Sequence, residues 1–338
     1  MNPNILEPFC CPDCASAFVA SNEGLVCNGC GVSYRCSLDT LGDPLLYLLP
    51  AALRQAYEGE GPSVSDTTTQ STKISELHYR QNVAHTETAR EGATVSSKTR
   101  THLDWQRYMV KTYFPFFDQK GSDLRLMEIG AGYCGTLAHV KRLLSNRVPS
   151  YAVDISDVLL GQIAPHAIQH VGVENSSIVK IVGDFEALPF ADNTIDILIC
   201  DAVLHHAEDL PKTVRECRRV LRPDGWMYIQ REPTFSILRR RGQIRRQTEI
   251  PDMLEGAIEK IYSFSEWTGA LRVAGFAKVE VIPVGRLPMH KIKRRRLLAH
   301  GYNIVFDRSV WRKNAAGRFF HLLTNRMISP SFVMVAHG

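Results

Sequence analysis

The sequence predicts an α/β protein, a doubly wound parallel sheet preceded by a small cysteine-rich head. Three observations carry this expectation. From Leu124 onward short apolar runs alternate with amphipathic stretches, the pattern of strands buried on both faces with helices packed over them. A glycine-rich segment, Gly130-Ala-Gly132-Tyr-Cys-Gly135, follows the first of those runs. Six of the nine cysteines fall between Cys10 and Cys36, a density that points to metal rather than to disulfides in a reducing compartment.

Each element follows in order. The head spans residues 1–50 and ends in the apolar run Leu45 to Leu49; Gly59, Gly61, Pro62 and the Ser/Thr-rich stretch Ser63 to Thr72 then read as a linker, so 51–98 is a linker and lead-in. Thr99 to Phe117 has a helical period through Leu103, Tyr108, Met109, Thr112 and Tyr113 that stops at Pro115. Strands are expected at Leu124 to Ile129, Tyr151 to Val153, Ile178 to Val182, Ile195 to Cys200 and Trp226 to Ile229. Helices are expected at Thr136 to Leu144, Ser156 to Gln169 and Leu210 to Leu221, with a further amphipathic helix capped by Ser265. Two last strands, Lys278 to Val284 and Phe332 to Ala336, flank 46 residues, 285–330, that read as an insertion into a catalytic domain of residues 99–338.

Composition narrows the classes. With 44% hydrophobic and 22% charged residues the 338-residue chain has enough apolar material for a core, and disorder or a coiled-coil rod is excluded. No stretch approaches the ~18 apolar residues of a membrane span, and Met1 to Pro12 lacks the features of a signal peptide, so a soluble, cytoplasmic protein is expected. The net charge of +5 is too small to announce a nucleic-acid binder. Its basic residues nevertheless cluster at Arg239 to Arg246 and Lys291 to Arg296, which suit either phosphate or RNA contact or a solvated helix face.

Cys11-Pro-Asp-Cys14 and Cys27-Asn-Gly-Cys30 form two C-x-x-C knuckles. Four thiolates at ~2.3 Å satisfy tetrahedral Zn²⁺ and leave no position open for water, the arrangement of a structural site. Cys10 and Cys36 fall outside the spacing. These knuckles, with Leu25, Val26, Gly31, Tyr34 and the trailing apolar run, resemble a small zinc ribbon that occurs free-standing as a methyltransferase activator and fused to some methyltransferases. The resemblance covers about 50 residues and implies docking or substrate orientation rather than chemistry.

Glycine-rich turns after a strand serve both dinucleotides and S-adenosylmethionine. Glu128, two residues before Gly130, favours the methyl donor, because a nicotinamide-binding strand is usually apolar there. Asp154 ends the second strand, placed to accept from both ribose hydroxyls. The third strand leads into Gly183-Asp184-Phe185 and then Leu188-Pro-Phe190, Asp192 and Ile195-Asp196. With Val203-Leu-His205-His206 and Glu216 to Gly225, this block resembles the class I S-adenosylmethionine-dependent methyltransferases from about residue 124 to 232. That resemblance implies a Rossmann-like methyltransferase sheet with a cofactor site at Glu128, Gly130, Ala131, Gly132, Tyr133, Gly135, Asp154, Ile155, Asp184, Phe185 and Asp201. Glu128 is then expected to orient the glycine loop and the methionine amino group, Asp154 to hold ribose, and Asp184 to accept from the adenine amino group. Cys134 departs from the family, which commonly has glycine there.

Methyl transfer from a sulfonium is an in-line displacement that needs alignment, plus a base for a hydroxyl or protonated amine. His205 and His206 are the candidates for that base, or else walls of the acceptor pocket. Acceptor contacts are expected from Gln230 to Tyr262 and from the insertion. The leading expectation is methylation of a small molecule on oxygen or nitrogen, such as a sugar or other biosynthetic intermediate. An RNA base methyltransferase is the second, and a non-catalytic scaffold bound through the zinc ribbon the third.

Overall fold

The computed structural model describes residues 7–21, 24–57, 95–114, 122–234, 260–283 and 332–338. The linker from residue 58, both basic runs, the insertion at 285–330 and most of the expected acceptor segment lie outside the described residues. Among the described residues no helix is long and apolar enough to cross a membrane.

The head contributes four strands, β1 (Phe18–Ser21), β2 (Gly24–Cys27), β3 (Ser33–Leu38) and β4 (Pro44–Tyr47), paired antiparallel in sequence. A short helix α1 (Ala51–Tyr57) follows, where the sequence reads as linker. Its first amide, Ala51 N, donates to Asp13 Oδ1 at 2.8 Å, so a residue of the first knuckle caps it. The lead-in helix α2 (Ser97–Tyr113) starts at Ser96, whose Oγ accepts from Thr99 N at 3.0 Å. It buries Leu103, Gln106, Met109, Val110 and Tyr113, a helical stripe with one polar member.

The parallel core consists of β5 (Leu126–Ile129), β6 (Ser150–Asp154), β7 (Ile178–Val182), β8 (Ile195–Asp201) and β9 (Leu221–Gln230). Helices α3 (Gly135–Leu143), α4 (Ala164–Val171) and α5 (Leu210–Val220) connect them, α4 preceded by a wide helical turn at Leu159–Ile163. Helix α6 (Phe264–Val273) and strands β10 (Lys278–Pro283) and β11 (Phe332–His337) complete the sheet, β11 antiparallel between β9 and β10. The strand order is β1-β2-β3-β4-β7-β6-β5-β8-β9-β11-β10. The order reverses at β5, and the crevice beyond the carboxyl ends of β5 and β8 is where such sheets bind ligands.

One expectation is corrected. The cap of α6 is Ser263, not Ser265: Ser263 and Glu266 stand three apart and form a reciprocal capping box, while Ser265 already lies in the first turn.

The head is built into this sheet. Strand β4 runs parallel to β7, with Leu45 opposite Lys180 and Tyr47 opposite Val182, and Leu45, Leu46, Leu48 and Leu49 are buried. Beneath that seam Lys180 Nζ pairs with Asp39 Oδ2 at 3.0 Å, both side chains fully buried. Asn175 Nδ2 donates to the same oxygen at 2.9 Å. Burial alone would raise the Asp39 carboxyl, but the Asn175 amide and the Lys180 ammonium hold it below its ordinary value. A second seam runs from Phe9, whose ring packs 5.6 Å from Tyr151 and 4.9 Å from Phe190. Cys10 N donates to Pro189 O at 3.1 Å, and Ala191 N to Pro8 O at 2.9 Å.

Candidate active site and metal centre

Strand β5 ends at Ile129 and the chain turns sharply through Gly130, whose φ of 57° lies in the left-handed region. A Cβ there would come within 2.1 Å of Val203 Cγ2, so glycine is needed for conformation and for space. The departure at Cys134 is accommodated: this buried residue adopts φ 61°, and its N–H donates to Ala131 O at 2.7 Å. Gly135 then opens α3 in contact with α2, since a Cβ on it would meet Gln106 Oε1 at 2.1 Å.

Glu128, 1% exposed, accepts from Leu137 N at 2.9 Å and so satisfies one of the orphan amides at the start of α3. Burial, with the Asp201 carboxylate next in effect, raises the Glu128 carboxyl well above the usual range. Asp154 is fixed at the cavity wall by Gly132 N on Oδ2 and Ser156 N on Oδ1, each at 2.8 Å. Asp184 accepts from Glu186 N at 2.9 Å. Gly183 N donates to Asp154 O at 2.9 Å, which ties the ends of β6 and β7 together.

At the end of β8, Asp201 accepts from Gln106 Nε2 at 3.0 Å, from Thr136 Oγ1 and from Arg231 Nε. Burial pushes its carboxyl up, but the guanidinium and these hydrogen bonds outweigh that and hold it below its ordinary value. His102 of α2 lies between Tyr133 and Arg231. Burial, then the Arg231 charge, push His102 down to about 4, so its ring is neutral at physiological pH.

These groups enclose a cavity of about 290 Å³ at the switch point. All the cofactor residues expected from the sequence line it except Gly135, which lies behind the wall against Gln106. Of the two histidines only His206 reaches the lining; His205 is turned away, with Nδ1 2.8 Å from Glu232 Oε2. Beyond the expected cofactor residues and His206, the cavity is lined by His102, Gln106, Leu159, Gly183, Glu186, Ala202, Val203 and Arg231, of which the sequence covered Arg231 only within the expected acceptor segment. Arg231 was the most legible of them, because it directly follows a parallel strand at the carboxyl edge where the crevice opens.

The donor set fits a cationic nucleoside ligand. Among the described residues, five carboxyl side chains, Glu128, Asp154, Asp184, Glu186 and Asp201, line the cavity against the one guanidinium of Arg231. Gln106 Oε1 is buried with no hydrogen-bond partner and lies toward Gly135 at the start of α3.

In the head, the sulfur atoms of Cys11, Cys14, Cys27 and Cys30 all lie within 4.8 Å of one another. Zn–S bonds of ~2.3 Å in a tetrahedron place sulfurs ~3.8 Å apart, so the cluster matches the donor chemistry and size of a metal site. Cys27 Sγ accepts from Gly29 N at 3.3 Å, and Cys11 Sγ lies 3.0 Å from Tyr34 Oη, whose hydroxyl donates to Asp13 Oδ2 at 2.8 Å. Such outer hydrogen bonds orient ligands. Cys10 and Cys36 are not in the cluster; burial raises the Cys10 thiol to about 11.

Fold and site together define a class I S-adenosylmethionine-dependent methyltransferase domain. Residues 127–229 match the family described as methyltransferase domain. The uncharacterized methyltransferase YcgJ of Bacillus subtilis is 36% identical over 102 residues, 30% of this chain and 38% of that protein. The malonyl-[acyl-carrier protein] O-methyltransferase of Methylococcus capsulatus is 34% identical over 104 residues, 30% of this chain and 34% of that protein. The matches thus span little more than a third of these curated relatives. Geranyl diphosphate C-methyltransferase from Streptomyces coelicolor shares the fold, with a TM-score of 0.50 and 13% identity over 72% of this chain and 86% of that one. This chain therefore carries a methyltransferase domain of that class, joined to an N-terminal cysteine cluster that fits a zinc ribbon.

Proposed function

We propose that this chain transfers the methyl group of S-adenosylmethionine to oxygen or nitrogen of a small-molecule acceptor, such as a sugar or other biosynthetic intermediate. The acid-lined cavity at the switch point carries this reading. When bound, S-adenosylmethionine supplies an electrophilic methyl group on a positively charged sulfur. Asp154 holds the ribose hydroxyls and Asp184 the adenine amino group, with Phe185 at the ring edge. Gly130, Ala131 and Gly132 let the backbone approach the ligand, Tyr133 covers it, Gly135 opens the helix behind it, and Ile155 forms the apolar wall. Glu128 and Asp201 would face the cationic end, and a nearby positive charge would favour the ionised form of Glu128, which burial and Asp201 raise. His206 stands at the cavity wall with a side chain suited to accept a proton from the acceptor.

Cys11, Cys14, Cys27 and Cys30 hold a structural Zn²⁺ in this account, and the ribbon braces the sheet through β4 and Phe9. By its name, the Methylococcus relative is an O-methyltransferase of malonyl-[acyl-carrier protein], which supports transfer to oxygen. The test is incubation of the protein with methyl-labelled S-adenosylmethionine and a deproteinised cell extract, with purified total RNA in a parallel reaction. Label in the small-molecule fraction is expected; label confined to RNA would replace this reading by an RNA methyltransferase. No transfer in either, with no cofactor binding, would leave a scaffold.

A further inference from the structure

The turn that follows β8 is held by one carboxylate. Glu232 lies two residues beyond β9, and its side chain is 1% exposed. Its Oε1 accepts from Val203 N and Leu204 N, both at 2.9 Å. Its Oε2 accepts from His205 N at 3.2 Å and faces His205 Nδ1 at 2.8 Å. The chain reaches this position through Arg231, whose left-handed φ of 61° lets successive side chains serve different walls: Arg231 meets Asp201, and Glu232 meets the turn.

We propose that Glu232 is a positioning residue of the methyltransferase site, setting both the placement of the Val203–His206 turn and the proton pattern of His205. The proposal rests on the reading given above. Three backbone N–H groups donate to the carboxyl group, and a ring nitrogen of His205 faces it. A carboxylate is acceptor-only, so it satisfies the three amides and leaves the facing ring nitrogen only the donor's role, whereas a protonated one would have to turn its own O–H toward one of these groups. The proton on the facing ring edge is therefore carried by Nδ1 of His205, which leaves Nε2 as the nitrogen with the lone pair.

The turn so held touches the cofactor side directly. Val203 packs on Gly130 of the glycine loop, and both Val203 and His206 line the cavity. His206 N donates to Val203 O at 2.9 Å, which closes the turn, and the His206 ring lies 4.0 Å from that of His205, centroid to centroid. Lys260 approaches from the other side, donating its backbone N–H to His205 O at 2.9 Å and its ammonium to Glu208 O at 2.5 Å. Among the described contacts of His205, Glu232 supplies the anion.

The test uses the full chain with ¹⁵N-labelled histidine, observed by NMR at a pH where the ring is neutral, together with calorimetric titration of S-adenosylhomocysteine. Wild-type His205 is expected as the Nδ1–H tautomer. Glu232→Gln keeps an oxygen for Val203 and Leu204 at the expense of the long 3.2 Å bond from His205 N, and presents an NH₂ group to His205 Nδ1; a carboxylate-to-amide exchange at such a position imposes the other tautomer. The variant should show Nε2–H, with S-adenosylhomocysteine affinity within about threefold of wild type. Glu232→Ala removes the turn's acceptor and should weaken that affinity at least about tenfold, the scale of one charged hydrogen bond.

An Nε2–H tautomer in the wild type, an unchanged tautomer in Glu232→Gln, or an unweakened Glu232→Ala would overturn the proposal. The wild-type spectrum decides even where a variant does not fold. Failure of the wild type to bind S-adenosylhomocysteine would sink the methyltransferase reading instead, and the tautomer result would still judge Glu232.

Discussion

The four thiols of the head come from one short stretch, Cys11 to Cys30, while the walls of the cofactor cavity are gathered from His102 to Arg231. The first site is written in local spacing: a C-x-x-C turn brings two sulfurs to one point whatever the remaining chain does. The second exists only once β5, β6, β7, β8 and β9 are in register, because each strand contributes its last residue or the next one. Local sites can be lost without the sheet, and distributed sites cannot. The two seams between head and sheet blur this distinction, since β4 adds to β7 and Phe9 packs on the loop that follows Asp184.

Metal loss probes that connection most strongly. Structural Zn²⁺ binding in small domains is worth ~10–16 kcal/mol in apparent free energy and is coupled to folding. Purified protein should contain about one equivalent of zinc by elemental analysis, and Cys27→Ser should abolish it. If the seams couple head to sheet, this variant should also lower the melting temperature of the whole chain. A sheet that melts at the wild-type temperature would show two independent units.

Breaking the buried pair in the seam comes next. Lys180→Met leaves Asp39 charged without its cation, held only by the hydrogen bonds from Asn175, Leu41 and Asp43, and removing one partner of a fully buried pair typically costs about 3–5 kcal/mol. Denaturant unfolding should show that loss, and Asp39→Asn in the same chain should return part of it. Equal stability of wild type and Lys180→Met would mean that β4 is not seated on β7.

A smaller effect is expected in the cavity. Asp154→Ala should weaken S-adenosylmethionine binding by ~1–3 kcal/mol, because polar ligand groups are left unpaired, and should also lower stability, because the Gly132 and Ser156 amides lose their acceptor. Unaltered affinity would move the ribose elsewhere.

The smallest effect separates acid sensitivity in the core from that in the seam. Burial depresses His139 to about 4, so the folded chain refuses a proton that the unfolded chain accepts from about pH 6.5 downward. Its stabilisation is complete above pH 6.5 and fades as the pH falls toward 4. Asp39, held below its ordinary value, yields only at lower pH. Melting curves between pH 7 and 4.5 should fall less steeply for His139→Gln than for wild type; parallel curves would remove His139 from the balance.

Particular residues explain what could be read from the sequence. Apolar runs mark strands buried on both faces, and glycines with acids after them mark the crevice, so the sheet core and most cavity residues were legible. The union of β4 with β7 was not, because an apolar run such as Leu45 to Leu49 carries no information about its neighbour. Lys180 hid inside the run Ile178 to Val182, although a lysine there demands a buried partner. Gln106 and His102 sit on a helix whose sequence marks its apolar stripe, not which polar residues join the cavity. His205 and His206 read as equivalent neighbours, and only the position of Glu232 separates the buried ring from the one at the wall.

Calorimetric titration of the purified full chain with S-adenosylmethionine, and in parallel of Asp154→Ala, tests the central claim most directly. Saturable binding near one equivalent per chain, with roughly fivefold or greater weakening in the variant, is the predicted result. No binding by a folded, zinc-loaded wild-type chain would contradict the account.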